Sequence, residues 1–407
     1  MASTVQGQLS VAPFRHFVDS QSPFLKNIQD QDPVAHAEQA LERVPPLAKM
    51  VGMWEKLIQE PFKGVTVDGN VRPGLFEKTD DGTDTDAIVS AAEAIVAALT
   101  SQQRAQVVLP LNARERRMWQ NTHLYFPMSR LGIRLDEASG ELQTLVLKLL
   151  ASAMSPEGYQ KALLATETNA FLGSLYHALA ILNKHSYNFI LFGTPSPTEP
   201  WGWTFYGHHL CLNFFIYGRH IEIAPTFMGA EPNMIDEGAL AGTELYTAEQ
   251  DLGLQFMQSL PPDQRKQALI GTDIDAKASP AMALTGAFMD NRVIPPQGLQ
   301  LSSSYIIPIL ALIEQFTLYL PKQARQRRLQ QISTFMSETH FCWVGGYGAE
   351  DKFYYRIQSP VIIVEFEHCP SIFLGNTKAE KFHIHTHVRM PNGGDYGMAL
   401  LPDGVRC

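Results

Sequence analysis

The chain has 407 residues, of which 45% are hydrophobic, 18% charged and 10% aromatic; such proportions support a sizeable buried core and exclude a fibrous or largely disordered protein. Against 32 basic residues stand 41 acidic ones, a net charge of −9. That balance argues against a surface built to neutralise phosphates or anionic lipid, so no nucleic-acid or membrane partner is expected.

The longest apolar run, Tyr305 to Ile313, is interrupted by Pro308 and has about half the ~20 residues that a membrane-spanning helix needs. The opening Met1-Ala-Ser-Thr-Val-Gln-Gly-Gln lacks the positive patch and apolar stretch of a leader peptide, and the expected location is cytoplasmic. Cys211, Cys342, Cys369 and Cys407 are scattered without a C-x-x-C pair, which reads as buried reduced thiols and not as a disulfide framework or zinc knuckle. Any metal must therefore lean on histidine and carboxylate.

In chain order, residues 1–75 read as an N-terminal arm carrying one helix from about Ala35 to Leu57, and residues 76–407 as a single large α+β domain. Asp80 to Asp86 reads as a solvated turn, because the calcium-loop spacing with its closing glutamate is missing. Asp86 reads as the N-cap of a helix over Ala87 to Leu99. Leu99-Thr-Ser-Gln-Gln-Arg-Ala105 and Leu260-Pro-Pro-Asp-Gln-Arg-Lys-Gln-Ala268 begin alike, and are taken as two similar helix openings, not as a repeat. Helical patterns follow over 135–150 and 159–182. Tyr187 to Gly193 and Leu210 to Ile223 read as strands, Ala248 to Ile270 and Ile306 to Thr339 as helices. Strands return at Phe353–Ile357, Val361–Glu367 and Phe382–Val388. Short turns between the last three favour antiparallel pairing. The expected class is α+β, with antiparallel sheet from the 187–223 and 353–388 regions and helices packed around it.

The strongest chemical signal is Phe382-His383-Ile384-His385-Thr386-His387-Val388-Arg389, where alternate residues of a strand share one face. An H-x-H pair on a strand sets two ring nitrogens to chelate one zinc, iron or copper ion. A second cluster, Trp201-Gly-Trp-Thr-Phe-Tyr-Gly-His208-His209-Leu210, offers adjacent histidines. On a strand these point to opposite faces, so one joins the ion and the other orients a ligand or substrate. Glu365 lies in an apolar run where an unpaired carboxylate is costly to bury. Glu367 is on the same face, and which carboxylate points inward depends on register. No G-x-S-x-G elbow, H-E-x-x-H helix or phosphate loop is present.

Trp119 with Asn121-Thr122, the W-G-W…G-H-H-L run at 201–210, Pro225-Thr-Phe-Met-Gly-Ala-Glu-Pro232, Tyr355-Arg356 and the H-x-H…Arg389…Asp395-Tyr-Gly397 constellation together resemble the uncharacterised bacterial and fungal family called domain of unknown function thirty-five hundred, over most of the chain after about residue 70. The resemblance maps the family pattern onto His208, His209, Glu365, His383, His385, Arg389 and Asp395. His387 departs from it. The resemblance brings no agreed reaction, and it suggests an intracellular fungal member in secondary metabolism.

The reading is a metal-dependent enzyme acting on a small organic molecule through one divalent ion, zinc first and iron or copper as alternatives. His383, His385 and one of His208 or His209 are the expected ligands, with Glu365 as fourth ligand or general base. Arg389 is expected to grip an anionic group of the substrate by a forked pair of hydrogen bonds, and Trp203 and Tyr355 to contact the substrate. Zinc implies hydrolase or lyase chemistry; iron or copper implies an oxidoreductase. The reading of another class is a metal-free ligand-binding protein or cyclase.

Overall fold

The structure, a computed structural model, describes residues 11–18, 25, 28–43, 45–121, 131–276 and 290–401. Cys407 and Thr122 lie outside the described residues. Where one N-terminal helix is expected there are two, Pro33–Arg43 (α1) and Pro45–Leu57 (α2). The break falls at Pro45, which has no N–H to continue a helix but is well suited to start one.

The body then runs through a fixed succession of elements. Thr85–Ala98 (α3) and Ser101–Val107 (α4) lead to the short strands Val108–Leu109 (β1) and Ile133–Arg134 (β2). Gly140–Ala153 (α5) and Pro156–Leu175 (α6) precede the long strands Tyr187–Phe192 (β3), Trp201–Gly207 (β4), Leu210–Tyr217 (β5) and His220–Ala230 (β6). A small ribbon of Met234–Ile235 (β7) and Thr243–Glu244 (β8) connects to a second passage. There Thr247–Ser259 (α7), Pro262–Ala268 (α8), Leu269–Gly271 (β9), Leu299–Gln300 (β10), Ile306–Phe316 (α9) and Lys322–Thr334 (α10) precede His340–Gly345 (β11), Phe353–Gln358 (β12), Ile363–Cys369 (β13) and Glu380–Arg389 (β14).

The two passages are the same topology traversed twice. In each, one short strand runs parallel to the first long strand, β1 to β3 and β9 to β11. A second short strand pairs with it antiparallel, β2 with β3 and β10 with β11. The four long strands form an antiparallel meander, and β6 pairs antiparallel with β14 to join the halves in one sheet ordered β1-β3-β4-β5-β6-β14-β13-β12-β11-β10. Helix α3 packs on α5 as α7 packs on α9. The two similar helix openings are therefore a trace of an architectural repeat, contrary to the reading from sequence. They are equivalent α4 and α8, one closed by a capping box of Thr100 and Gln103, the other entered through Pro261 with no side-chain cap.

Helices α3, α5, α6, α7, α9 and α10 cover one face of this sheet with a continuous core that includes Trp203, Phe214, Trp343, Tyr355 and Phe366. On the other face α1 and α2 lie against Ile190, Phe192, Tyr206, Cys211, Phe215 and Phe227. Strands covered on both sides read as near-continuous apolar runs, which is why β3 shows in the sequence and why Leu210 to Ile223 reads as one strand where there are two, β5 and the start of β6. Two details differ from expectation at the start of the body. The N-cap of α3 is Asp84, whose side chain accepts from Ala87 N. Asp81 is not solvated but buried, holding Arg327 by two hydrogen bonds and accepting from Ile221 N. Among the described residues, no helix is long and apolar enough to cross a membrane.

Candidate metal centre

The β4–β5 hairpin closes through His208 and His209, and His209 takes a left-handed φ of 59°. A non-glycine residue held there costs of order 1–3 kcal/mol and persists only where its surroundings over-determine it. Here they do: Tyr187 Oη donates to the His208 carbonyl (3.1 Å) and Gly229 N to the His209 carbonyl (2.8 Å). The adjacent histidines thus lie in a turn, not on a strand, and do not diverge. Their rings sit 3.9 Å apart and tilted by 30°.

The turn delivers His209 to the start of β14, where His383, His385, His387 and Arg389 share one face as the period of a strand requires. The Nε2 atoms of His209, His383 and His385 converge on one another at 3.0, 3.1 and 3.2 Å. Gly229, on the neighbouring strand, forms the floor: a Cβ there would stand 3.1 Å from the Cδ2 atoms of both His209 and His385 and 2.7 Å from the Ile384 carbonyl. Only a residue without a side chain lets the rings approach so closely.

Three imidazole nitrogens in a triangle are poorly served by each other. His385 directs Nδ1 at Glu367 Oε1 (3.2 Å), and with its proton committed to that carboxylate its Nε2 carries a lone pair into the triangle. Burial holds His383 well below its ordinary value, with the neighbouring His385 and His208 adding to the effect, and burial lowers His385 as well. All this favours neutral rings with electron pairs available, the form in which histidine binds metal. Nitrogens held ~2.05 Å from a tetrahedral zinc would be about 3.3 Å apart, close to the separations observed.

Carboxylates complete the surroundings. Glu231, at the end of β6, brings Oε2 to 3.7 Å from His383 Nε2, while its Oε1 accepts from Ser371 Oγ and Leu374 N. Burial pushes Glu231 up to about 8, against the pull of the Leu374 and Phe373 amides. Burial also works to raise Glu367, but hydrogen bonds and charge from His385 and His387 prevail and hold it well below the usual range. His208 turns Nδ1 to Asn169 Oδ1 (2.9 Å), and burial pushes it down to about 3. His209, His383 and His385 are one set able to hold a metal ion; His208, His209 and Glu231, and Glu367, His385 and His387, are two others.

Other residues singled out in the sequence sit elsewhere. Glu365 belongs to none of these sets; it faces Tyr354 Oη, which donates to it, with Arg356 at 4.0 Å. Register decides the matter, since Glu367 lies opposite His385 and Glu365 opposite His387. Arg389 is not a grip for substrate: its guanidinium is held by Asp290 (2.6 Å) and Asp395 (3.1 Å) in full burial over the Trp119 ring. Trp203 and Tyr355 are on the helix-covered face, away from the imidazoles, the first stacked on Phe214 at 4.3 Å and the second donating to the Glu249 carbonyl. They are core residues, not substrate contacts. His387 packs on Phe227 and reaches Glu367 at 3.8 Å. Glu231 escaped the reading from sequence, although it directly follows the largely apolar β6 and a carboxylate among apolar residues was the signal used for Glu365.

Residues 81–398 match the family described as protein of unknown function, DUF3500. The match spans most of the chain, and the chain belongs to that family. No curated protein and no solved structure matches it.

Proposed function

We propose that this member of the DUF3500 family is a metal-dependent enzyme that holds one divalent ion, zinc by preference, on His209, His383 and His385, and performs hydrolase or lyase chemistry on a small organic substrate. The observation that carries the reading is the convergence of three Nε2 atoms at 3.0–3.2 Å. Charge supports it. Glu367, held ionised by its histidine partners, and Glu231 are both buried beside the imidazoles, and a divalent ion would favour the carboxylate form of Glu231, which burial otherwise opposes.

Three protein nitrogens leave a coordination position open, the pattern of catalytic zinc and not of structural zinc. A bound ion would supply a Lewis acid and lower the pKa of its water to ~7. Glu231, at 3.7 Å from His383 Nε2, stands one hydrogen bond beyond the ligands and takes the role of general base. Glu367 orients His385, and Asn169 orients His208 at the margin. A second reading, an iron or copper oxidoreductase, is favoured by the same Glu231, because a carboxylate beside imidazoles suits a redox metal that binds dioxygen.

Elemental analysis of protein purified without added metal, paired with turnover of a panel of esters, lactones and amides, tests this. Zinc near one equivalent with hydrolysis supports the first reading; iron or copper with oxygen consumption supports the second. Protein that is folded yet holds under a tenth of an equivalent of any metal, even after exposure to each, overturns both and leaves a metal-free binding protein or cyclase. His383→Ala is expected to release the ion and abolish turnover while the fold survives.

A further inference from the structure

Strands β13 and β14 pair so that Glu367 lies opposite His385 and Glu365 opposite His387, and strand period puts all four side chains on one face. Glu365 is provided for, since Tyr354 Oη donates to it and the Arg356 guanidinium stands at 4.0 Å. Glu367 is not. It is buried, and among the described residues its ion-pair partners are His385 Nδ1 at 3.2 Å and His387 Nε2 at 3.8 Å, with no lysine or arginine beside it. The longer of those distances is beyond a hydrogen bond. Glu367 Oε2 and His387 Nδ1 are buried with no hydrogen-bond partner among the described residues. A buried polar group left unmade costs about 1–3 kcal/mol, and more where it is charged, so this pair of strands carries an unmet demand for a cation.

The same three side chains offer ligand atoms that lie within 4.8 Å of one another. Ligands held ~2.05 Å from a tetrahedral zinc stand about 3.3 Å apart; the His385 contact meets that spacing and the His387 contact approaches it. His385 belongs both to this group and to the triangle of imidazoles. Its Nε2 faces His209 and His383, and its Nδ1 faces Glu367, so one ring has a nitrogen to give to each place.

Taking the triangle as the metal site proposed above, we infer that Glu367, His385 and His387 form a second metal site and that the His385 ring bridges the two ions as an imidazolate. The second ion is a divalent cation of the zinc or copper kind, which imidazole and carboxylate suit. It takes the place of the Nδ1 proton, which leaves to solvent. Because that proton must be displaced, the second site binds more weakly and fills after the first. With metal to nitrogen bonds of ~2.05 Å on either side of one ring, the ions stand ~6 Å apart. That is too far for both to hold one oxygen, as metals about 3.5–4 Å apart do. The part of the second ion is electrostatic: it satisfies Glu367 and makes His385 a stronger donor to the first.

Titration of the full chain with copper(II), after dialysis against a chelator to free it of metal, tests this when followed by electron paramagnetic resonance at liquid-helium temperature. Two copper(II) ions on one imidazolate couple antiferromagnetically. The signal is therefore expected to grow up to one equivalent and to fall at least twofold by the second. His387→Ala should take up one copper and keep its full, uncoupled signal; coupling that survives this substitution overturns the assignment. In the unsubstituted protein, where no variant need fold, saturation at one equivalent overturns the second site and leaves the reading of the triangle standing. Two equivalents with additive signals also overturn it, because the ions then share no ring. Failure to bind any copper overturns the triangle as well.

Discussion

Glu367 never touches the triangle of nitrogens, yet it decides which tautomer His385 presents there. Removing its charge while keeping its shape should therefore weaken metal affinity without unfolding the protein. Glu367→Gln is expected to lower zinc affinity 10- to 100-fold, the usual effect of losing the partner behind a ligating histidine, measured by competition with a chelating dye. An unchanged affinity would remove Glu367 from the centre. The H-x-H pair was legible because strand period alone puts His383 and His385 on one face. Glu367 was not separable from Glu365, since a single apolar run does not reveal which residue of the next strand it faces. His209 was legible as a residue type but not as a geometry, because its left-handed φ turns what a strand would point outward back toward its neighbour.

At the scale of elements, the end of β14 and the arm make contrasting commitments. Arg389 joins Asp290 and Asp395 in complete burial, with Arg117 also on Asp290 at 2.8 Å, so Arg389→Gln strips Asp395 of its cation, leaves Asp290 to Arg117 alone and is expected to cost about 3–5 kcal/mol. A thermal melt would show it. A fall in substrate affinity with unaltered stability would restore the substrate-binding role that the ion pairs argue against. On α1, His36 is 3% exposed with Nδ1 2.8 Å from Gln31 Oε1, and burial pushes it down to about 4. The unfolded chain takes up a proton on this ring near pH 6.5 and the folded one resists until about pH 4, so the stability it contributes is whole above pH 6.5 and drains away as pH falls between those values. The loss reaches about 3 kcal/mol, and His36→Gln should flatten that part of the acid titration. The strands β12, β13 and β14 announce themselves by apolar alternation and short turns. β11 does not, because His340-Phe-Cys-Trp-Val-Gly follows a helical run with only the short turn Met336–Glu338 between them, and nothing polar marks the change of period.

For the whole molecule, the sheet has no internal boundary: β6 and β14 are hydrogen-bonded neighbours at its middle. The two halves are expected to unfold in one transition. If the metal reading holds, zinc at about a hundred times its dissociation constant should raise stability by about 2.7 kcal/mol without splitting that transition. Two separate steps in calorimetry would show that the halves fold independently. The duplication itself was nearly invisible in the sequence, since only the openings of α4 and α8 still look alike while the equivalent turns now read His208-His209 and Ser359-Pro360. Topology outlasts residue identity because a meander needs only the right alternation and turn lengths, which many sequences satisfy.

The three converging nitrogens are also divided between those halves, one arriving with the β4–β5 turn and two with the last long strand. A nascent chain that has reached residue 379 owns a single imidazole of the set. If the metal reading holds, chelation waits for the last long strand, and ion uptake during refolding would time the moment at which that strand is zipped into place.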